Sequence, residues 1–417
     1  MKNIITFDLE TPKACFLASF YNPKDNSWHD FLINQFQNDL YKMLKYLEEN
    51  KDCFFVGYNS LKFDMQVIEY IIRNYQDWGE LSGLEIAKKI AYFATEEIDR
   101  SNYGIFSTYM ESEFHYKTID TPAIWHFFNE NKRVSLKQLE FEMRAETIEN
   151  MELDLNAEEF TQEQIDDMIH YCHNDVLYTY QHYLFTIGET EHPLYKGKDK
   201  IKDRQIILDE VGLSCMNWDD VKIGAEWNKK DYMEMTGKLE KELKPDKVNS
   251  FYGKKYSKFF PDTVTFQTQK MKDFIEKLGN TYILAEKQEF KFDFNRELTV
   301  TVARGGLHSC EKGRILIPKE DEILLQNDIG SQYPNFLKKA GIYPKHLGKQ
   351  WNSMLVGKIE RRLTYKQMYK ETKEPKYNSL QEMGKLSLNG GALYNSIAHN
   401  KSDKLLGSQE VGNQQPI

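Results

Sequence analysis

Asp8 and Glu10 stand two residues apart in Phe7-Asp8-Leu9-Glu10-Thr11. On an extended strand, residues two apart project from the same face. Two carboxylates therefore converge. Their apolar neighbours Ile4, Ile5, Phe7 and Leu9 set them against a core, where a carboxylate needs a cation. Asp64 follows Asn59-Ser60-Leu61-Lys62-Phe63 and opens a helix, a common place for a lone Asp. Asp175 closes Tyr171-Cys172-His173-Asn174-Asp175. A spacing of four puts Tyr171 and Asp175 on one helix face, while His170, five before Asp175, offers a competing register. Asp64 and Asp175, each taken alone, read as ordinary helix residues. Together the four carboxylates are enough to hold two hard divalent cations, Mg2+ or Mn2+, through oxygen. Two such ions ~3.5–4 Å apart activate a water and stabilise the leaving 3′ oxygen of a phosphodiester. Tyr171 is placed to orient that water.

These acids need elements to carry them. Residues 2–8 read as a buried strand and 15–21 as its neighbour. Residues 36–49 have helical spacing, 53–58 form another strand, and 62–75 and 160–187 read as helices. Strands alternating with helices indicate an α/β domain that closes near residue 190. Residues 195–290 are rich in Lys and in helical patterns, with a turn near Gly253. Strand-like 298–302, the pair Gly305-Gly306 and a strand over 323–329 begin a third block. Asp219 and Asp220 read as the N-terminal acids of a helix over 219–228 rather than as a metal pair. Residues 395–417 lack hydrophobic periodicity and read as an atypical tail. There is no internal repeat.

The chain has 417 residues, which suggests two or three domains. Hydrophobic residues make up 40% and aromatic residues 13%, enough for a sizeable core. The formal net charge of −9 excludes a uniformly basic DNA-coating protein. It leaves room for an enzyme that concentrates Lys and Arg in one channel. The five scattered cysteines fit free thiols in a reducing cytosol and no zinc site. No run of ~18 apolar residues suggests a membrane span, and the early acid at Asp8 is unlike a signal peptide.

The set Asp8, Glu10, Asp64, Tyr171 and Asp175 resembles the proofreading 3′→5′ exonuclease domain of family B DNA polymerases, in the phage, viral and organellar branch. The resemblance implies an RNase H-like fold and a cytoplasmic location, that of the host if the gene is phage-borne. It implies that Thr11, Asn59 and Phe63 touch a single-stranded 3′ end, and it favours Tyr171 over His170. Ser135-Leu136-Lys137 resembles another strand-contacting element of that branch, and Lys222-Ile223-Gly224 also looks like it.

Asp328-Ile329-Gly330-Ser331-Gln332-Tyr333-Pro334 resembles polymerase motif A. By that resemblance Asp328 binds the catalytic metals, and Tyr333 lies under the nucleotide sugar and excludes a 2′-OH. Arg304-Gly305-Gly306 resembles the segment that couples the two activities, with Ala303 where the family has Tyr. Lys385 to Asn389 resembles motif B. There Lys385 and Asn389 would bind the incoming dNTP, with Arg362 in a nearby basic helix assisting. Tyr394 falls five residues after Asn389, a different helix face from the family's usual three.

The expected organisation follows. Residues 1–190 form an RNase H-like 3′-5′ exonuclease domain and 191–294 a connecting helical region. Residues 295–345 start an incomplete α+β palm, 346–394 form helical fingers, and 395–417 are the tail. Motif C and a thumb have no counterpart, which implies an amino-terminal polymerase portion whose gene is interrupted after motif B. The implied partners are a DNA primer–template, a single-stranded DNA 3′ end, dNTPs and a second chain carrying motif C and thumb, with no membrane. The alternatives are a stand-alone exonuclease with a vestigial palm and a non-catalytic single-strand-binding module.

Overall fold

The computed structural model describes the chain except residues 1–2, 128–133, 146–147, 149–150, 152, 244–252, 261–264, 285–287, 294–297, 304–305, 311–314, 316, 326–334, 336–337, 340, 345, 389–410 and 414–417. The chain divides into two compact units, Met1–Asp220 and Val221–Ile417.

The first unit is α/β and is built on a five-stranded mixed sheet. Its strands are β1 (Ile4–Glu10), β2 (Phe16–Asn22), β3 (Ser27–Ile33), β4 (Phe54–Gly57) and β5 (Thr118–Asp120), in the order β3-β2-β1-β4-β5. β1, β2 and β3 pair antiparallel, whereas β4 runs parallel to β1 and β5 parallel to β4. Three helices supply one face: α1 (Leu40–Glu49), α2 (Asp64–Asn74) and α3 (Gly83–Asn102). Ile5, Phe7 and Leu9 of β1 join their apolar stripes in one core, where Phe7 stacks on Phe20 and meets Phe55 edge-on.

The two-residue period of β1 turns Ile4, Thr6, Asp8 and Glu10 to the other face. After the short helices α4 (Thr121–Ile124) and α5 (Leu136–Glu142) comes the long helix α6 (Gln162–Thr186), which packs against β1 and β2 there. Thr161 and Gln164 close a reciprocal capping box at its start. α7 (Lys200–Val211) completes the unit. Its buried Arg204 ties down the Trp218 carbonyl and Asp220.

The structure trims the expected helices to Leu40–Glu49, Asp64–Asn74 and Gln162–Thr186. It adds β3, α3 and β5, which the sequence reading left unassigned. The expected helix 219–228 extends over Asp220–Thr236 (α8). Asp220 is its first residue and pairs with Lys200 and Arg204, while Asp219 meets His126.

In the second unit, the helices Gln350–Thr372 and Pro375–Leu386 pack together. Tyr232, Trp351, Leu355 and Leu388 share a core. A three-stranded sheet forms from Phe290–Asp293, Thr299–Ala303 and Gly306–Cys310. Gly253 has the positive φ expected of a turn. The strand expected over 323–329 is not seen in its described part. Ile323, Leu324 and Leu325 carry no strand assignment and are exposed, so that apolar run has neither ladder nor core to stabilise it. Residues 326–329 lie outside the described residues. In the tail, Val411–Asn413 pairs with Ile342–Pro344.

Candidate active site

The site lies at the carboxyl end of β1, on the face covered by α6. Asp8 and Glu10 reach it from the strand because they share its even face. Asp64 reaches it as the first residue of α2, where the helix dipole favours an anion. Asp175 and Tyr171 come from one face of α6, four residues apart. Asp64 and Asp175 are buried, while Asp8 and Glu10 are half-buried.

The four carboxylates feel one another. Burial pushes the Asp8 carboxyl well above its ordinary range, and the charges of Asp64, Glu10 and Asp175 push it further. Burial and the charges of Asp175 and Asp64 raise Glu10, against a pull downward from Lys137. Burial also raises Asp64, although the backbone N–H of Leu9 donates to it. Desolvation and like charge therefore act together to make this cluster costly as four free anions.

Lys137, on α5, is the cation in contact with the cluster among the described residues. Its ammonium pairs with Asp175 and lies 3.2 Å from Glu140. It also sits 4.4 Å from the centre of the Tyr171 ring. Burial pulls the Lys137 pKa down, but the two carboxylates more than offset that, and the net shift is upward. The Tyr171 hydroxyl donates to Asp175. Burial and the charges of Asp175, Glu10 and Asp8 raise its pKa, so it stays protonated. His170 is exposed on the same helix.

Cys172 completes the inner wall. Its thiol donates to the Asp8 carbonyl and carboxylate at 3.7 and 3.8 Å. Asp8, Glu10 and Cys172 bring possible ligand atoms within 4.8 Å of one another. A donor set dominated by carboxylate oxygens, short of positive charge, fits hard divalent cations.

The neighbouring loop is fixed by a residue that sequence reasoning missed. Asp120 is fully buried, and its carboxylate accepts from the Leu61 N–H at 2.9 Å and the Ala123 N–H at 3.4 Å. Burial raises its pKa to about 7. It anchors the turn that presents Asn59, which adopts a left-handed φ of 63°, and Phe63. The legible signal was Asp120-Thr121-Pro122, an N-cap followed by Pro in the first turn.

Thr11 and Phe63 line one cleft with Glu10. Ser135 is the N-cap of α5, its hydroxyl accepting from the Gln138 N–H at 3.1 Å, and Leu136 is the first helical residue. Lys137, next in that triplet, is the member that meets the acids. In the second unit, Lys385 is exposed in the last turn of its helix, and Arg362 donates to the Gln381 carbonyl at 3.2 Å. Asp328, Tyr333 and Asn389, and with them the core of motif A and the end of motif B, lie outside the described residues, as do Arg304, Gly305 and Tyr394.

No helix among the described residues is long and apolar enough to cross a membrane. No family model matches the chain, and neither does any curated protein. A similar solved structure is the family B DNA polymerase from the hyperthermophilic archaeon Pyrobaculum calidifontis, with 11% identity and a TM-score of 0.47. That match covers 96% of this chain and 48% of the other, so the chain spans about half the length of that structure.

Proposed function

We propose that the first unit is an RNase H-like 3′→5′ exonuclease that hydrolyses single-stranded DNA. One observation carries this reading: four carboxylates from three separate elements converge beside a protonated tyrosine, with Lys137 the one lysine seen in contact among the described residues. Perturbed groups gathered at the end of a sheet mark a site of chemistry more often than one of stability. The strand order and directions of the sheet support the same reading.

Asp8, Glu10, Asp64 and Asp175 would hold two Mg2+ or Mn2+ ions. When bound, these supply an activated water and charge stabilisation at the scissile phosphate. The chain's own groups do the rest. Tyr171 keeps its proton and orients the water that attacks phosphorus. Lys137 places positive charge beside Asp175, where the phosphate's charge grows. Thr11, Asn59, Phe63, Ser135 and Leu136 hold the strand end. The P–O3′ bond breaks, and a nucleoside 5′-monophosphate leaves.

Within the second unit we read residues 295–345 as the opening of a family B polymerase palm and 346–394 as its fingers, of the phage, viral and organellar branch, after a connecting region. Asp328 would hold metal there, and Tyr333, Lys385, Asn389 and Arg362 would hold dNTP on a primer–template. The sequence motifs support this, and the cytoplasm is the matching compartment.

The test is a 5′-labelled single strand incubated with the purified chain and Mg2+. The expected result is a ladder shortening from the 3′ end, abolished by Asp8→Ala/Asp64→Ala. A strand left intact, or one cut equally by the variant, would refute the reading.

A further inference from the structure

The Thr11–Lys13 turn, the start of α2 and one side of α3 enclose a cleft of about 550 Å3 that begins at Glu10. Its volume falls within the ~300–1,000 Å3 usual for small-ligand pockets. Glu10, Thr11 and Phe63 line it beside the cluster, and Lys88, Tyr92 and Thr95 line it from α3. Spacings of four and three put those three on one stripe of the helix. Tyr92 is 68% exposed, so its ring is displayed rather than packed.

Two ammonium groups border the cleft, and one carboxylate holds both. Lys88 Nζ lies 2.8 Å from one Glu158 oxygen, and Lys13 pairs with the other. Glu158 is 62% exposed, so these pairs sit in water and are weakly held. A phosphate offers the same charge and more acceptors, and can take the carboxylate's place. An open aromatic ring with two exchangeable cations is the composition of a track for single-stranded nucleic acid. The cleft shares Glu10 with the carboxylate cluster, which orients that track.

We propose that the α3 wall is a second nucleotide subsite for a single DNA strand. Tyr92 stacks on the base that precedes the terminal one, and Lys13 and Lys88 leave Glu158 to hold a backbone phosphate. The subsite rests on the hydrolytic reading of the carboxylate cluster, because Glu10 marks the terminal end of the cleft. Without a bound strand, Glu158 pairs with both lysines and offsets half of their charge.

The test pairs two assays on the full chain. The first is binding of a labelled ten-nucleotide oligo(dT) in Ca2+ over a range of salt. The second is Mg2+-dependent hydrolysis of thymidine 5′-p-nitrophenyl phosphate, a substrate of one nucleotide that ends before the α3 wall. Tyr92→Ala is expected to weaken oligonucleotide binding about tenfold. Lys13→Gln/Lys88→Gln is expected to lower the slope of log affinity against log salt by about 0.7 per phosphate lost. Glu158→Gln is expected to tighten binding, and mononucleotide hydrolysis to stay at the wild-type rate throughout. Oligonucleotide affinity and salt slope unchanged in the Tyr92 and lysine variants would overturn the subsite. So would loss of mononucleotide hydrolysis in them, since α3 would then be supporting the cluster itself. Failure of the hydrolytic reading shows separately, as a wild-type chain that cleaves neither substrate.

Discussion

Both units bury charge, and they treat it in opposite ways. In the second unit, Lys358 is fully buried, yet every side of its ammonium is answered. Asp231 lies 3.0 Å away, the Asn228 amide oxygen 2.7 Å, and the Trp227 ring 4.5 Å below. The same amide oxygen accepts from the Ser387 hydroxyl at 2.7 Å, and Asn228 donates to the Ser387 carbonyl at 2.9 Å. Arg361 adds a second cation beside Asp231 at 3.3 Å. Gly224 permits the close approach, since a Cβ there would stand 2.9 Å from the Ser387 backbone. Burial still lowers the Lys358 pKa to about 8. In the first unit, four carboxylates face one another with Lys137 in contact. An internally satisfied ion network holds helices together. An under-compensated one holds space for something from outside.

The largest effect that separates the two is on rate. Asp8→Ala/Asp64→Ala should lower single-strand hydrolysis by at least ~10³-fold, about 4 kcal/mol of barrier, measured as initial rates. Asp231→Asn should leave that rate alone and lower the unfolding free energy by about 3–5 kcal/mol, because it strands a buried ammonium. Urea denaturation followed by Trp fluorescence reads this, since Trp227 lies against Lys358 and Trp351 is buried in the same unit. Tyr171→Phe keeps the ring over which Lys137 sits and removes only the hydroxyl. It should cost about 10–100-fold in turnover without changing strand affinity.

Two smaller effects sharpen the contrast. Burial lowers the His182 pKa to about 3, below the ordinary His value of 6.5, while its ring bonds Thr121 at 2.9 Å. Its folded pKa lies below its unfolded one, so the unfolded chain binds the extra proton. Its stabilising contribution is whole above pH 6.5 and is lost as pH falls toward 3, by up to about 1.4 kcal/mol per pH unit. His182→Gln should flatten that slope in chemical denaturation between pH 4 and 6.5. Asp8, Glu10 and Asp64 have raised pKa values and the opposite sign, with stability falling as pH rises through them. Asp8→Asn should therefore raise the unfolding free energy of the metal-free chain at pH 7.5 by ~0.5–2 kcal/mol while abolishing hydrolysis, the usual trade between stability and a strained site.

How much of this was legible follows the range of the interactions. Asp8 and Glu10 were readable because strand period and apolar neighbours are local. Tyr171 and Asp175 were readable because a helix repeats every few residues. Cys172 lay in plain sight between them, but its contact with Asp8 joins positions far apart in sequence. The triplet at Ser135 resembles a strand-contacting element, whereas the contact of Lys137 with Asp175 needs α5 docked on α6. α3 is hard to read from sequence although Ser82 and Glu85 form a capping box, because its buried face is largely Ala and Ile set among charged residues. β3 pairs with β2 alone, at the edge of the sheet, and its weak alternation hid it. In the second unit, the Lys358 network joins α8 to residues more than a hundred positions away, beyond any local pattern.

The central claim is that the first unit keeps its carboxylates for cations. Calorimetric titration of the chain with Mn2+ at pH 7.5, beside Asp8→Asn/Asp64→Asn, tests it most directly. The account predicts two Mn2+ ions bound by the wild type, with their heat lost in the variant. No binding by the wild type, or the same binding by both chains, would contradict it.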